Sequence, residues 1–188
     1  MSGRKQELAV LFADISGSSD IYVTLGDEAA RRVVRRCVKL MTGELPDYQG
    51  TLIKVIGDEI MCTFPSAESA FHAACAIQRK VESTQSPDGT AMHIRVGFHF
   101  GEVLQEPHDI YGDTVNVAAR VVSITRARQI VVTQAVVDRL PSTLRERVTK
   151  LERVEFKGKP ATFEIYLVDW AENEDSRTRV GSPSQRKA

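Results

Sequence analysis

Two aspartates stand where strands of this chain are expected to end. Asp14 closes the apolar run Glu7 to Ile15, and Asp58 lies in the Gly57-Asp58 dipeptide between two short apolar runs, a pattern typical of a hairpin. If those strands are neighbours in a sheet, the two carboxylates converge. At about 4 Å they repel by about 4 kcal/mol at an effective dielectric constant of about 20, unless a cation lies between them. Carboxylate oxygens suit Mg²⁺ or Mn²⁺. The alternative is that Asp14 caps a helix and Asp58 only serves the turn.

A polar pair interrupts the apolar spacing of the segment Thr114 to Thr125, which predicts a helix. Asn116 and Arg120 lie one helical turn apart there and share a face. An arginine can stabilise the charge that develops on a transferring phosphoryl group, and an asparagine can orient a sugar by hydrogen bonding. The alternative is an ordinary exposed polar face.

Two lysines and a turn of small residues could serve phosphate recognition. Lys54 interrupts the apolar run Thr51 to Ile56 and by alternation shares a face with Leu52 and Ile56. Lys157 stands beside a glycine and can reach a phosphate as a mobile point charge. The segment Ser16 to Ser19 precedes a helix, where free backbone N–H groups favour an anion. Plain solvation of the lysines and ordinary helix capping are the alternatives.

Alternating strands and helices must position these residues. The periodicities predict a mixed sheet with helices packed on it, an α/β or α+β fold. Ser66 is expected to open a helix, and Gly97 and Gly101 mark places for a bulge or a close backbone approach. The predicted strands are Glu7 to Ile15, Thr51 to Ile56, Glu59 to Phe64, Met92 to Leu104, Gln129 to Thr133, Val154 to Lys157 and Thr162 to Val168; the predicted helices are Gly26 to Met41, the stripe Ala67 to Val81, Thr114 to Thr125 and Ala135 to Leu140.

Composition excludes several classes of protein. The chain has 188 residues, and its 25 Lys and Arg balance its 25 Asp and Glu, which argues against a broad grip on nucleic acid or on anionic lipid. No apolar run approaches the roughly 20 residues of a membrane span, and no signal peptide is recognisable, so we expect a cytoplasmic protein without membrane insertion. Cys37, Cys62 and Cys75 lack zinc-site spacing and are expected to be reduced thiols in the core.

Three segments together resemble the signature motifs of class III nucleotidyl cyclase catalytic domains, most closely those of bacterial adenylate cyclases. They are Phe12 to Ile15, Lys54 to Glu59 and Asp109 to Arg120, in the family's order. The resemblance implies a ferredoxin-like mixed sheet flanked by helices, with residues 6–170 as the catalytic domain and the polar residues 171–188 as a flexible tail or linker. It also implies a homodimer whose two active sites are shared between the subunits.

The resemblance assigns a role to each candidate residue. Asp14 and Asp58 match the two metal-binding aspartates, with the backbone carbonyl of Ile15 as a further ligand of two Mg²⁺ or Mn²⁺ ions per site. Lys54 and Asp109 match the pair that reads adenine, where guanine-specific members typically carry Glu and Cys. The remaining matches are Asn116 and Arg120, which orient the ribose and stabilise the transition state, and Lys157, which holds the triphosphate.

The implied activity is conversion of ATP to 3′,5′-cyclic AMP and pyrophosphate. Two departures from the family pattern affect phosphate contacts: Ser18 follows Gly17 where many relatives have a bulky residue after the glycine, and Glu102 stands where some have an arginine. The alternatives are a guanylate cyclase, a diguanylate cyclase suggested by the Gly57-Asp58-Glu59 hairpin, and a non-catalytic nucleotide-binding dimerisation module. A fused or associated regulatory domain is a further expectation.

Overall fold

A single twisted sheet organises the chain in the computed structural model, which describes residues 3–86, 89–156 and 162–171. Within these ranges the sheet has eight strands. They are β1 (Arg4–Ile15), β2 (Thr51–Ile56), β3 (Glu59–Phe64), β4 (Ile94–Gln105), β5 (Ile110–Tyr111), β6 (Ile130–Thr133), β7 (Val148–Glu155) and β8 (Thr162–Val168).

The strand order confirms the predicted fold class. The order is β2-β3-β1-β4-β6-β8-β7, with β5 paired to the end of β4. Every pairing among the first four strands is antiparallel, which is the ferredoxin-like arrangement, whereas β4 and β6 run parallel. The sheet is therefore mixed, and β1 and β4 form its centre.

Helices cover the two faces of this sheet unequally. The helices are α1 (Ser18–Leu25), α2 (Asp27–Gly43), α3 (Ala67–Ser83), α4 (Asp113–Ile124), α5 (Gln134–Val137) and α6 (Ser142–Arg145). The large core packs α2 and α3 against alternate residues of β1 such as Leu11 and Ala13. The intervening residues Val10 and Phe12 face α4 in a smaller cluster. Asp14 follows Phe12 in this alternation, so it lies on the α4 face.

Local sequence signals explain how several elements begin. Ser66 caps α3, because its hydroxyl accepts a hydrogen bond from the Ser69 backbone N–H at 3.0 Å, as predicted. The predicted helix Gly26 to Met41 is confirmed as α2, and the segment Ser16 to Ser19 precedes a separate short helix, α1, whose bounds were not predicted from the sequence. Gly26 has a φ of 75° and separates the two helices, and Gly17 has a φ of 71° and forms the turn into α1.

Two glycines of β4 let α4 lie close to the sheet. A Cβ at Gly97 would come within 2.5 Å of the Val122 backbone nitrogen, and one at Gly101 within 2.6 Å of the Thr114 hydroxyl. The predicted close backbone approach is confirmed at Gly97, and at Gly101 the group that approaches is the Thr114 side chain. Because Thr114 lies over Gly101 and Val122 over Gly97, α4 runs back along β4 toward the end of the sheet that carries Asp14.

The remaining sequence predictions have mixed outcomes. β7 begins at Val148, earlier than predicted. Its first half was not predicted because a register shift between Lys150 and Arg153 interrupts the alternation of apolar and polar residues. Lys157 and residues 172–188 lie outside the described residues.

The three cysteines are buried free thiols, as predicted. Within the described ranges, no helix combines the length and the hydropathy that a membrane span needs.

Candidate active site

Asp14 and Asp58 lie at the same end of the sheet. β1 pairs with β3 so that Asp14 stands opposite Glu59, the residue after Asp58. Asp58 occupies the two-residue turn between β2 and β3, where Gly57 has a φ of 64°. The hairpin was predicted from the Gly57-Asp58 dipeptide, and it is this strand pairing that brings the two aspartates together.

Two further charged residues, which the sequence analysis did not single out, complete this site. Arg95 on β4 stands opposite Asp14, on the other side from Glu59. Its Nε and Nη2 atoms both donate to Oδ2 of Asp14, at 2.8 and 2.5 Å. We call Asp14, Asp58, Glu59 and Arg95 the acidic cluster. The sequence signal for Arg95 was a charged residue in the apolar first half of β4.

The acidic cluster is short of positive charge. Burial and the charges of Asp14 and Asp58 raise the pKa of Glu59 to about 7, although Arg95 opposes this. Burial also raises the pKa of Asp14, with a further increase from the Asp58 charge, while the hydrogen bonds from Arg95 act in the opposite direction. One guanidinium therefore does not compensate three partly buried carboxyl groups.

The donor set fits hard divalent cations in part. Asp14 and Asp58 supply the carboxylate oxygens that Mg²⁺ and Mn²⁺ prefer, and the Ser16 hydroxyl oxygen nearby is enclosed without a hydrogen-bond partner among the described residues. No group of three or more His, Cys, Asp or Glu side chains in the described ranges is arranged to hold a metal by itself. Any cation here must therefore complete its shell with backbone oxygens such as that of Ile15, with water or with phosphate.

Lys54 and Asp109 form a direct ion pair, although they are distant in sequence. The Lys54 Nζ atom donates to Oδ2 of Asp109 at 2.6 Å, and the Ile110 backbone N–H donates to Oδ1 at 2.8 Å. Together with a hydrogen bond from Tyr111, these contacts hold the pKa of Asp109 below its usual value, with the Lys54 hydrogen bond as the largest cause. The pair remains partly exposed and can therefore contact a ligand.

A bulge in β2 decides which way Lys54 points. Leu52 pairs with Cys62, but Lys54 pairs with Met61, so the register shifts by one residue between them. Cys62 belongs to the core under α2 and α3, and Met61 to the cluster under α4. Lys54 therefore shares a face with Ile56 but not with Leu52, and the prediction from simple alternation was wrong for Leu52.

Asn116 and Arg120 lie on the exposed side of α4, one turn apart. The opposite side of the helix buries Val117, Ala118 and Val121 against the sheet. α4 begins just after β5 and runs toward the end of the sheet that carries Asp14. Within the described ranges, the guanidinium of Arg120 forms no ion pair.

The other candidate residues have less defined surroundings. The carboxylate of Glu102 forms an exposed ion pair with Lys5 at 2.9 Å. The turn at Ser16 and Gly17 leads into the N-terminus of α1 directly after Asp14. Lys157, the predicted triphosphate ligand, lies outside the described residues.

The family model and the most similar curated proteins indicate the same family. Residues 1–169 match the family model described as adenylate and guanylate cyclase catalytic domain. An adenylate cyclase of Streptomyces coelicolor is 30% identical over 138 residues, which cover 73% of this chain and 35% of the relative. A putative adenylate cyclase 3 of Rhizobium meliloti is 30% identical over 120 residues, covering 63% of this chain and 20% of the relative. The chain thus spans about a third or less of these relatives.

Solved structures show the same fold. The guanylate cyclase domain of a rhodopsin-linked protein from Catenaria anguillulae, in complex with GTP, superposes with a TM-score of 0.79 at 20% identity, covering 88% of this chain and 98% of that one. An adenylate/guanylate cyclase/hydrolase from Silicibacter pomeroyi gives a TM-score of 0.77 at 24% identity, over 88% and 98% of the two chains. At these identities the likeness concerns the fold.

Proposed function

Because this chain belongs to the family of adenylate and guanylate cyclase catalytic domains, we propose that it is an adenylate cyclase that converts ATP to 3′,5′-cyclic AMP and pyrophosphate. The observation that carries this choice of base is the Lys54–Asp109 ion pair at 2.6 Å. Adenine carries an amino donor at position 6, where guanine carries a carbonyl acceptor. A carboxylate held by Lys54 suits the amino group and repels the carbonyl, while the lysine can donate to a ring nitrogen.

The proposed reaction is an in-line displacement at the α-phosphorus. The ribose 3′-oxygen forms a bond to that phosphorus and releases its proton to solvent, and the bond to the bridging oxygen of the leaving pyrophosphate breaks. Arg120 would stabilise the charge that develops on the α-phosphate, and Asn116 would hold the ribose so that its 3′-oxygen is aligned. Lys157 would hold the triphosphate.

Asp14 and Asp58, with the carbonyl oxygen of Ile15, would hold two divalent cations beside the α-phosphate. When bound, such cations lower the pKa of an attacking hydroxyl and neutralise the leaving oxygens. The excess of carboxyl groups over cations in the acidic cluster supports this assignment, because a divalent cation would offset their repulsion.

We further propose that the active site is completed by a second copy of the chain. One protomer would supply Asp14 and Asp58, and the other Lys54, Asp109, Asn116, Arg120 and Lys157. Two features support this. Asn116 and Arg120 are exposed on α4, and the edge strand β2 exposes Leu52, Val55 and Ile56 by 41%, 46% and 49%, a surface that a partner would bury.

The test is product formation from ATP and, separately, from GTP with Mn²⁺ or Mg²⁺. Wild type is compared with Asp14→Ala, with Arg120→Ala and with an equal mixture of both variants. Each variant alone should be inactive. The mixture should regain about a quarter of wild-type activity, because half of randomly assorted dimers are mixed and each of those has one intact site of two.

The outcomes separate the alternatives. Cyclic AMP from wild type with recovery in the mixture supports a shared-site adenylate cyclase. Preferential formation of cyclic GMP would make the chain a guanylate cyclase, and ATP binding without any cyclic product would make it a nucleotide-binding module. If wild type is active but the mixture shows no recovery, the shared site would be contradicted and the cyclase activity would not.

A further inference from the structure

Arg95 lies beside the proposed cation ligands and has no role in the proposed reaction. It stands on β4 directly across from Asp14, while Glu59 stands across from Asp14 on β3. Residues paired in this way across antiparallel strands have Cβ atoms about 5 Å apart, so the three side chains share one patch on the α4 face. Arg95 thus places a positive charge directly beside Asp14.

Within the acidic cluster, the guanidinium of Arg95 donates hydrogen bonds to Asp14 and not to the other carboxylates. Two of its N–H groups converge on a single oxygen, Oδ2 of Asp14, at 2.8 and 2.5 Å. Its side chain is 34% exposed and that of Asp14 only 12%. In the described part of the chain, neither Asp58 nor Glu59 has an ion-pair partner. A charge-assisted, two-donor contact of this kind fixes both side chains.

We propose that Arg95 competes with divalent cations for Asp14 and thereby keeps the cation affinity of the Asp14–Asp58 pair low until a nucleotide triphosphate binds. A cation that approaches Asp14 meets the positive guanidinium at short range and finds one carboxylate oxygen already engaged. The triphosphate adds several negative charges and further oxygen ligands, which outweigh the single charge of Arg95. This inference rests on the proposed function only in taking Asp14 and Asp58 as the cation ligands.

Cation binding can be measured without catalysis. The affinity of the purified domain for Mn²⁺ alone is determined by electron paramagnetic resonance of the free ion, without nucleotide. Arg95→Gln should bind Mn²⁺ about tenfold more tightly than wild type, because it removes the competing charge. Arg95→Lys keeps the charge and should stay within about threefold of wild type. Arg31→Gln, an exposed arginine of α2, is the matched control and should change nothing.

A second measurement adds 3′-deoxy-ATP, which binds but lacks the attacking hydroxyl. With this nucleotide the difference between Arg95→Gln and wild type should shrink to about threefold or less, because the phosphates then dominate the cation's surroundings. A purely structural role for Arg95 would not produce a difference that depends on nucleotide. Equal or weaker Mn²⁺ binding by folded Arg95→Gln would overturn the proposal, as would an unchanged difference with nucleotide.

Loss of folding would not leave the proposal untested. If Arg95→Gln is unstable, Mn²⁺ should raise its thermal unfolding midpoint more than that of wild type, since tighter binding to the folded state stabilises it more. An unstable variant that Mn²⁺ does not stabilise counts against the proposal. Failure of wild type to form any cyclic nucleotide would refute the proposed function but leave this binding result intact.

Discussion

The acidic cluster and the Lys54–Asp109 pair are both built from carboxylates and one cationic side chain, yet their electrostatics are opposite. In the cluster, burial and mutual repulsion raise the pKa values of Asp14 and Glu59. In the pair, a direct hydrogen bond from Lys54 lowers the pKa of Asp109. The pair balances its own charge, whereas the cluster needs additional positive charge.

This difference matches the two tasks that a cyclase site must perform. A cation site gains affinity from carboxylates that are poorly compensated in the protein itself, because a divalent ion then relieves their repulsion. A base-reading pair needs the reverse, since two polar groups that already hold each other are fixed in orientation before the ligand arrives. We therefore expect changes in the cluster to affect cation dependence and rate, and changes in the pair to affect the choice of base.

The largest effect should come from Asp14→Asn. Losing one of the two carboxylates of the proposed cation site should lower the turnover number by at least about 10³-fold with either nucleotide, because cation assistance contributes several kcal/mol to such reactions. Activity across a range of Mn²⁺ concentrations is the measurement. Asp20→Asn, an exposed carboxylate of α1, is the control. If excess Mn²⁺ fully restored the activity of Asp14→Asn, Asp14 would affect only the affinity for the cation.

A smaller effect, of a different kind, is expected from Lys54→Glu combined with Asp109→Cys. The double variant should lose about 10- to 100-fold in kcat/KM for ATP and gain activity toward GTP, because the donor and acceptor positions facing the base change. The ratio of the two kcat/KM values is measured under saturating Mn²⁺. Lys39→Glu on the exposed face of α2 should leave the ratio unchanged. An equal loss with both nucleotides would contradict a base-reading role.

Gly97→Ala tests the element that connects the two regions. The added Cβ would press on the Val122 backbone nitrogen at 2.5 Å and force α4 away from the sheet. We expect a destabilisation of about 2 kcal/mol, as for other overpacked cores. Urea unfolding measures it, and cyclase activity should fall equally for ATP and GTP. Gly43→Ala, where a Cβ meets nothing within 4 Å, should not destabilise the fold.

The sequence predicts the elements of this site better than their mutual contacts. Asp58 on a hairpin, Ser66 as a helix cap and the close approach at Gly97 all follow from local residue chemistry, and the structure agrees with each. The contact between Asp14 and Arg95 does not follow, because it depends on the register of two strands that are far apart in sequence.

The orientation of Lys54 and the bounds of α1 did not follow from the sequence, for related reasons. A bulge of one residue in β2 turns every residue before it to the opposite face of the sheet from the one that simple alternation predicts. No residue type at that position indicates the bulge. Gly26 can begin a helix or separate two helices, and the choice depends on how α1 packs against α2. In both cases tertiary packing selects between local conformations that the sequence permits equally.

The smallest effect concerns pH and separates the two regions by the sign of their pKa shifts. The pKa of Glu59 is raised from 4.5 to about 7 in the folded protein, so between those values the folded state holds a proton that the unfolded state has lost. The free energy of unfolding must then fall as pH rises through this window. Because Glu59 is only partly buried, we expect a loss on the order of 1 kcal/mol.

Urea unfolding of wild type and Glu59→Gln at about pH 5 and about pH 8, in a chelating buffer, measures this loss. The stability of wild type relative to Glu59→Gln should be lower at the higher pH. Asp109→Asn is the matched comparison. Because folding lowers the pKa of Asp109, its contribution to the free energy of unfolding is fully present above the pKa of the unfolded state and is lost only in more acidic solution. The difference between wild type and Asp109→Asn should therefore be constant across the same window. A Glu59→Gln difference that was equally flat would mean that the acidic cluster is compensated like the pair, and the contrast between the two regions would fail.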